Sequence, residues 1–364
     1  MTTINPGLRM VRRSAQSVQI GLGAGGLILA GLQKTEISFV EALRAGIPDG
    51  RVLEQATALG VESLRAQEIC GMLSGLLFSD AELAARGYRA QWLLPERSAM
   101  LGLYQGPCLD LMERRARSVV QIVGLGRTGA ALAALLCSAG VGTLLLEDDS
   151  PVTASDVCAG SHRSVDIGLA RSLSVRRHVQ RIDAGCQAHV VHDGGAGGPG
   201  TSCLDLAVVV GHDAVTSRTA ARFLAAEKPH LFALLREQDG TVGPLVVPGE
   251  TACAECVERN RSAHDPQWLE LCGQLSAAAA PSSGFLPRHE LLENVSLATA
   301  LAGTAATHAL LFLDGVNQPG SWSAVLTFHT GNGVWTRQEY AAHPECGCQW
   351  QNQPVATIPS TASP

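Results

Sequence analysis

Residues 118–150 read SVVQIVGLGRTGAALAALLCSAGVGTLLLEDDS, and this stretch decides how the rest of the chain is read. It opens with an apolar strand-like run, Val119–Val123. A glycine-rich turn comes next, Gly124-Leu-Gly126-Arg-Thr-Gly129, and then an alanine/leucine helix to Ala139. A second apolar run, Val141–Leu146, ends in Glu147, Asp148 and Asp149. Strand, G-x-G-x-x-G, helix, strand and acid in that order is the wiring of a nucleotide-binding βαβ unit. The glycines permit a tight turn and close backbone approach, so free N–H groups at the helix start can face a phosphate. An acid at the end of the second strand is placed to accept hydrogen bonds from a ribose. The same turn serves dinucleotides, so a nicotinamide-dependent oxidoreductase stands as an alternative at this point.

At 364 residues the chain has room for two or three domains. Hydrophobic residues make up 46% and charged residues 16%, which supports a sizeable core and argues against gross disorder. The formal net charge of −6, with 27 Lys+Arg spread thinly, argues against a nucleic-acid surface. No unbroken apolar run approaches the length of a membrane span. Arg12-Arg13 followed by Ile20–Gly31 superficially resembles a signal peptide, but Ser14, Gln16, Ser17 and Gln19 interrupt it and no clean cleavage site comes after it. Eleven cysteines without a regular short-range framework suit a reducing cytoplasm with a metal site better than disulfides. The expectation is a cytoplasmic protein.

Residues 1–95 differ in kind from the rest of the chain. Leu8–Arg13, Ser17–Gly21 and Gly25–Ala30 read as short strands; Glu36–Ala45, Arg51–Leu59 and Ser63–Leu77 carry helical spacing, and Ser79-Asp80 can cap Ala81–Ala85. A small α/β module of winged-helix type fits. Its own G-x-G-x-x-G, Gly21 to Gly26, has no helix after it and reads as a glycine-rich hairpin. Residues 96–117 form a linker with a helix over Cys108–Arg117. From 118 to 350, strands alternate with helices, predicting a parallel sheet covered on both faces. The helix after the acids is expected over Ile167–Ile182 with Asp166 as its cap, and strands over Ala188–His192, Leu204–Val210, His230–Leu235 and Val242–Val247. Gly194–Gly200 reads as a surface loop, Ser276–Ser283 as an insertion, Leu291–Leu313 as a long helix, and 351–364 as a disordered tail.

Cys253-Ala-Glu-Cys256 and Cys346-Gly-Cys348 are two close cysteine pairs beside turn-forming residues. Four thiolates would close a tetrahedral structural zinc site and tie the distant C-terminal part to the core. The competing reading is four unrelated thiols, and His343 is a less favoured fourth ligand. Such a site is closed, so it stabilises and does not catalyse.

Taken together, these pieces resemble the ThiF/MoeB/HesA family, bacterial relatives of the ubiquitin-activating enzymes. The resemblance covers Ser118–Gln349 and rests on GLGRTG, GVGTLLLEDDSPV, DIGLAR, the strand ending in Asp213 with Arg218 after it, PLVVPG…CAEC and the late cysteine pair. It implies an α/β fold with a Rossmann-like, mostly parallel sheet and a zinc-stapled C-terminal part, in a homodimer. It also implies adenylation of a C-terminal carboxylate of a peptide or small ubiquitin-like protein with Mg-ATP, giving an acyl adenylate and pyrophosphate. Carried over by residue, Gly124, Gly126 and Gly129 form the phosphate turn, Asp148 holds the ribose, and Asp213 holds Mg2+ near the attacking carboxylate. Arg171 stands where the family usually has a phosphate-neutralising lysine, and alters the geometry while keeping the charge.

The chain also departs from the family's usual D-x-D-x-V-x-x-S-N-L-x-R-Q. The triphosphate-contacting arginine is replaced by Ala159, the asparagine by Asp156 and the second acid by Ser150. Losing a cation and gaining an acid beside a triphosphate weakens binding, since each charge-assisted contact is worth roughly 1.5–3 kcal/mol. Arg163 and Arg127 are the nearby candidates to substitute, and Cys272 lacks the context of a thioester-forming cysteine. A winged-helix-like module ahead of such a domain resembles the leader-peptide-binding modules of ribosomal-peptide modification systems. That implies an alternative: a non-adenylating, peptide-binding clamp that presents a leader peptide to a downstream modifying enzyme.

Overall fold

The computed structural model describes residues 1–23, 26–83, 88–106, 108–192, 203–214, 217–278 and 293–349. The surface loop Gly194–Gly200, the tail 351–364, the end of the Ala81–Ala85 helix and most of the Ser276–Ser283 insertion lie outside them. The chain divides into two compact units, Met1–Arg114 and Arg115–Pro364.

In the first unit, β1 (Thr2–Ile4) is followed by the antiparallel sheet of β2 (Met10–Ser14), β3 (Ser17–Ile20) and β4 (Leu27–Leu29). Helices α1 (Lys34–Ala45), α2 (Val52–Ala58) and α3 (Ser63–Met72) come next, then β5 (Leu77–Ser79), which pairs antiparallel with β1. Ile37, Val40 and Leu43 recur at helical spacing on α1 and are buried with Val18, Ile20, Leu29 and Ile69. Ile20 pairs with Leu27, so β4 and not a helix follows Gly26; residues 24–25 of that glycine segment lie outside the described residues. The short α4 (Asp80–Leu83) and α5 (Leu94–Tyr104) complete this unit, and α6 (Leu109–Arg117) carries the chain into the second.

The second unit is built on an eight-stranded sheet. Its strands are β6 (Val119–Val123), β7 (Thr143–Glu147), β8 (Gln187–Val190), β9 (Leu206–His212), β10 (His230–Arg236), β11 (Asp239–Val246), β12 (Ala324–His329) and β13 (Val334–Glu339). Their spatial order is β13-β12-β11-β10-β9-β6-β7-β8. The strands from β8 to β10 in that order are parallel, and β11, β12 and β13 extend the sheet antiparallel. The alternation expected for a wholly parallel sheet fails at β11 because two residues join it to β10, too few for a crossover. Glu237 makes that turn with φ 48°.

The period-two alternation of the central strands divides the core. Val120, Ile122, Leu144, Leu146 and Val208 face α7 (Arg127–Ser138), α8 (Arg171–Ile182) and α12 (Val295–Asp314). Leu145, Ala207, Val209 and Phe232 point the other way, toward Phe223 on α9 (Ser217–Ala225) and Val257 on α10 (Ala254–Ser262). After α10 comes α11 (Trp268–Ala278). By length and composition alone α12 could cross a membrane, but here Leu297, Leu301, Ala305 and Ala309 fill the core. Its last residue, Asp314, is wholly buried and takes Arg115 Nε at 2.7 Å and Nη2 at 2.6 Å.

Candidate nucleotide site and cysteine cluster

The turn between β6 and α7 forms because its glycines leave room that other residues would fill. Gly124 sits at φ 83°, and a Cβ there would lie 2.2 Å from Val210 O; one on Gly129 would lie 1.9 Å from Gly124 O. The Gly124 N–H donates to Glu147 O at 3.0 Å, locking the turn to the end of β7. His162 bridges from the loop after β7, its Nε2 2.7 Å from Leu125 O and its Nδ1 2.8 Å from Ser174 Oγ.

The three acids that end β7 have separate partners. Glu147 is paired with Arg222 at 2.8 and 3.1 Å and turned into the protein. Asp149 is half exposed, 2.8 Å from His192 Nδ1. Asp148 turns its carboxylate to the turn, accepting the Leu125 N–H at 2.9 Å. Arg171 begins α8 with Nη1 3.4 Å from Asp148, so the turn, Asp148 and Arg171 are brought together. The helix begins at Arg171, four residues later than the expected Ile167, with Ala170 as its N-cap. Asp166 instead ends a short 3-10 turn and accepts no helix N–H as a cap. The N–H groups of Arg171 and Ser172 donate to Ser150 O and Asp148 O, which satisfies the helix start from the loop after β7.

The cations here are already engaged. Asp156 lies 2.7 Å from Arg171 Nη2 through one oxygen and 2.9 and 3.1 Å from Nη2 and Nε through the other. Burial alone would raise the Asp156 carboxyl, but the Thr153 N–H and Arg171 outweigh it and hold it below the usual carboxylate range. Arg127 donates to Glu293 O at 2.8 Å and Val157 O at 3.2 Å. Arg163 is half exposed, with Asp166 3.6 Å away.

Asp213 sits past the end of β9 at φ 59°, its N–H bonded to Leu235 O at 2.7 Å and its carbonyl accepting Arg236 Nε at 2.6 Å. It stands just beyond the strand that carries Val210, which abuts Gly124. Glu293, which no sequence motif singles out, places its carboxylate on the turn itself, with Oε2 2.7 Å from Thr128 N and 2.6 Å from Thr128 Oγ1. It precedes α12 by sequence and meets α7 only through the fold, so no local signal could have found it. The thiol of Cys272 is pushed up to about 11 by burial and Glu258, and lies 3.6 Å from that carboxylate, so it is a protonated donor.

The two cysteine pairs do converge. Cys253, Cys256, Cys346 and Cys348 have sulfurs all within 4.8 Å of one another, with 3.4 Å for Cys253–Cys346 and Cys256–Cys348 and 3.8 Å for Cys253–Cys256. Thiolates at about 2.3 Å around a tetrahedral zinc stand about 3.8 Å apart, so the set could bind zinc. The Cys253 hydrogen bond pulls the Cys256 thiol down to about 4, while burial pushes Cys346 up to about 12. His343 contributes its backbone, donating N–H to Cys256 Sγ at 3.2 Å. None of the eleven cysteines is in a disulfide.

No curated protein matches the chain in sequence. Among solved structures, Escherichia coli MccB with ATP superposes with a TM-score of 0.69 at 14% identity, covering 96% of this chain and 99% of that one. The Microcin C7 biosynthetic enzyme MccB in complex with N-formylated MccA gives 0.70 at 14% identity and the same coverage. PaaA gives 0.62 at 15% identity, covering 81% of this chain and 97% of that one. At such identities the likeness establishes the fold. The sequence itself matches the ThiF family over residues 99–349, well over half its length, and the glycine turn, the strand-end acid and the cysteine pairs all fall inside that span: the chain belongs to the ThiF family.

Proposed function

We propose that the chain is an ATP-dependent adenylyltransferase that activates the C-terminal carboxylate of a peptide or small protein in ribosomal-peptide modification. The observation that carries this is the joining of turn, acid and cation within a ThiF-family domain: Leu125 N–H on Asp148, and Asp148 3.4 Å from Arg171. In this reading the α7 N-terminus and Arg171 take the phosphates, Asp148 takes the ribose and Asp213 takes Mg2+. A carboxylate oxygen of the acceptor attacks the α-phosphorus, and pyrophosphate leaves from the same phosphorus. MccB has been solved with ATP and with N-formylated MccA, which supports the same two ligand classes here. Zinc at the four cysteines is structural, residues 1–95 recognise the peptide, 96–117 link that module to the domain, and the unit is a cytoplasmic homodimer. ATP–pyrophosphate exchange driven by candidate C-terminal peptides tests the reading. Tight ATP binding that Asp213→Ala leaves unchanged counts against it.

One observation favours a second reading. Arg171 is held in a two-pronged pair by Asp156, and Ala159 supplies no cation in its place. A domain in that state serves as a non-adenylating clamp that presents a leader peptide to a downstream modifying enzyme. Calorimetry returning a low-micromolar ATP affinity would sink this form.

A further inference from the structure

At the N-terminus of α7 one backbone N–H and one hydroxyl, both of Thr128, meet an anion, and that anion belongs to the chain itself. Gly126 is the N-cap of the helix and Thr128 its second residue. The Glu293 carboxylate takes both the N–H and the hydroxyl of Thr128, and its other oxygen lies 3.5 Å from His212 Nε2. That oxygen is also 2.1 Å from where a Cβ on Gly126 would stand, so the bare glycine is what admits the carboxylate. The Glu293 side chain is only 8% exposed. Burial alone would raise its carboxyl, but His212 and Thr128 outweigh it and keep it below the ordinary range, so the occupant carries full negative charge at neutral pH. Its backbone is held too, since Arg127 donates to Glu293 O, and the next residue, Asn294, caps α12 by accepting the Ser296 N–H. α12 packs directly on α7, which fixes the glutamate against the turn.

We propose that Glu293 is an intramolecular anion that holds the phosphate position of the turn closed, so that a nucleotide phosphate enters only as this carboxylate leaves. The inference rests on the nucleotide reading of the turn, and adds to it a competitor built into the chain. The dipole and N–H donors of a helix start favour any anion, and a carboxylate and a phosphate oxygen are alternative occupants of one position. The apparent affinity for the incoming phosphate is the intrinsic affinity multiplied by the fraction of molecules in which Glu293 has withdrawn.

The test uses the full-length protein and inorganic pyrophosphate as the probe. Calorimetric titrations compare wild type with Glu293→Gln, which keeps shape and an acceptor for Thr128 but loses the charge, and with Glu293→Ala, which clears the position. Glu293→Ala is expected to bind pyrophosphate at least tenfold more tightly than wild type, with Glu293→Gln in between. Equal dissociation constants in all three, or binding in none, overturn the proposal. Should the alanine variant fail to fold, the glutamine variant decides, and an unchanged constant overturns it. ATP–pyrophosphate exchange on the same proteins separates this from the adenylation reading. Tighter pyrophosphate binding without exchange leaves the closure standing and removes the adenylation. Equal exchange with equal binding does the reverse.

Discussion

Replacing Asp156 with asparagine, the residue the family usually carries there, isolates what its charge does. In the structure one Asp156 oxygen accepts from Arg171 at 2.7 Å, while the other accepts from Arg171 at 2.9 and 3.1 Å and from the Thr153 N–H and Oγ1 at 2.8 and 3.0 Å. Asparagine can keep the bonds from Thr153 through its carbonyl, but it presents a neutral, partly donating group to the guanidinium. Removing one partner of a fully buried pair costs about 3–5 kcal/mol. Arg171 remains 24% exposed and keeps Asp148, so a loss of about 2 kcal/mol in urea unfolding is expected, near that of a single hydrogen bond to a charged group. Nucleotide affinity moves the other way. A guanidinium released toward a phosphate gains a contact of about 1.5–3 kcal/mol, which is about ten- to a hundredfold in the dissociation constant for Mg-ATP. There is also a pH signature. The Asp156 carboxyl is lowered in the folded state, so its stabilisation is fully present above the ordinary carboxylate pKa and is lost as pH falls through the lower folded value. Asp156→Asn removes that part of the acid-induced loss. A variant that loses stability yet binds ATP with unchanged affinity would refute the reasoning, because Arg171 would then not face the nucleotide.

Other perturbations test the framework around the site. Asp314→Asn leaves Arg115 with its charge buried, and a loss of about 3–5 kcal/mol in chemical denaturation is expected. A loss within about 0.5 kcal/mol, the range of ordinary surface substitutions, would mean that the pair contributes little. Cys256→Ser should purify with clearly less zinc than wild type and melt at a lower temperature, and a chelator should lower the wild-type melting temperature toward it; equal metal content by elemental analysis would remove the zinc assignment. His230 is buried against Phe232 and Phe223, and burial lowers it to about 4. The unfolded chain therefore takes up its proton first as pH falls, and about 3 kcal/mol of stability is lost between the unfolded value near 6.5 and the folded value near 4. Denaturation of His230→Phe at pH 7 and pH 4.5 should show a smaller drop than wild type.

The parts legible in the sequence are those whose physics is local. Gly124 and Gly129 are dictated by a turn that admits no side chain, and Cys253 and Cys256 by a knuckle in which the two thiols stand three residues apart. Thr2–Ile4 and Leu77–Ser79 are not legible, because two three-residue strands far apart in the chain carry no periodic signal and find each other only in the fold. The start of α8 lies at Arg171 for a similar reason. Asp166 has the chemistry of a cap, but the backbone carbonyls of Asp148 and Ser150 supply the acceptors that settle where the helix begins. Asp156 is visible as a departure from the family pattern, but its double bond to Arg171 is not. Glu293 reads as one more residue of a long helix from Leu291, whereas α12 starts at Val295 and leaves the glutamate free to cross to α7.

In the nucleotide reading Asp156 acts on the ligand through Arg171 and Glu293 acts on it at the Thr128 N–H, and the two effects should combine in a way that distinguishes them. If Glu293 sets the fraction of open molecules and Asp156 sets the intrinsic affinity of the open form, the apparent dissociation constant is a ratio of the two. The free-energy changes of Asp156→Asn and Glu293→Ala on Mg-ATP binding then add, within about 0.5 kcal/mol. There is a physical route by which they could fail to add. Arg127 donates both to Glu293 O and to Val157 O, the carbonyl next to Asp156, so loosening one side can shift the guanidinium that braces the other. A double variant binding ATP more than tenfold away from the product of the single effects would show coupling, with Arg127 as the route to test. In that case Arg127→Ala, added to all four proteins, should restore additivity. If coupling persists without Arg127, the two carboxylates repel one and the same phosphate, and closure by Glu293 and neutralisation by Asp156 are a single effect.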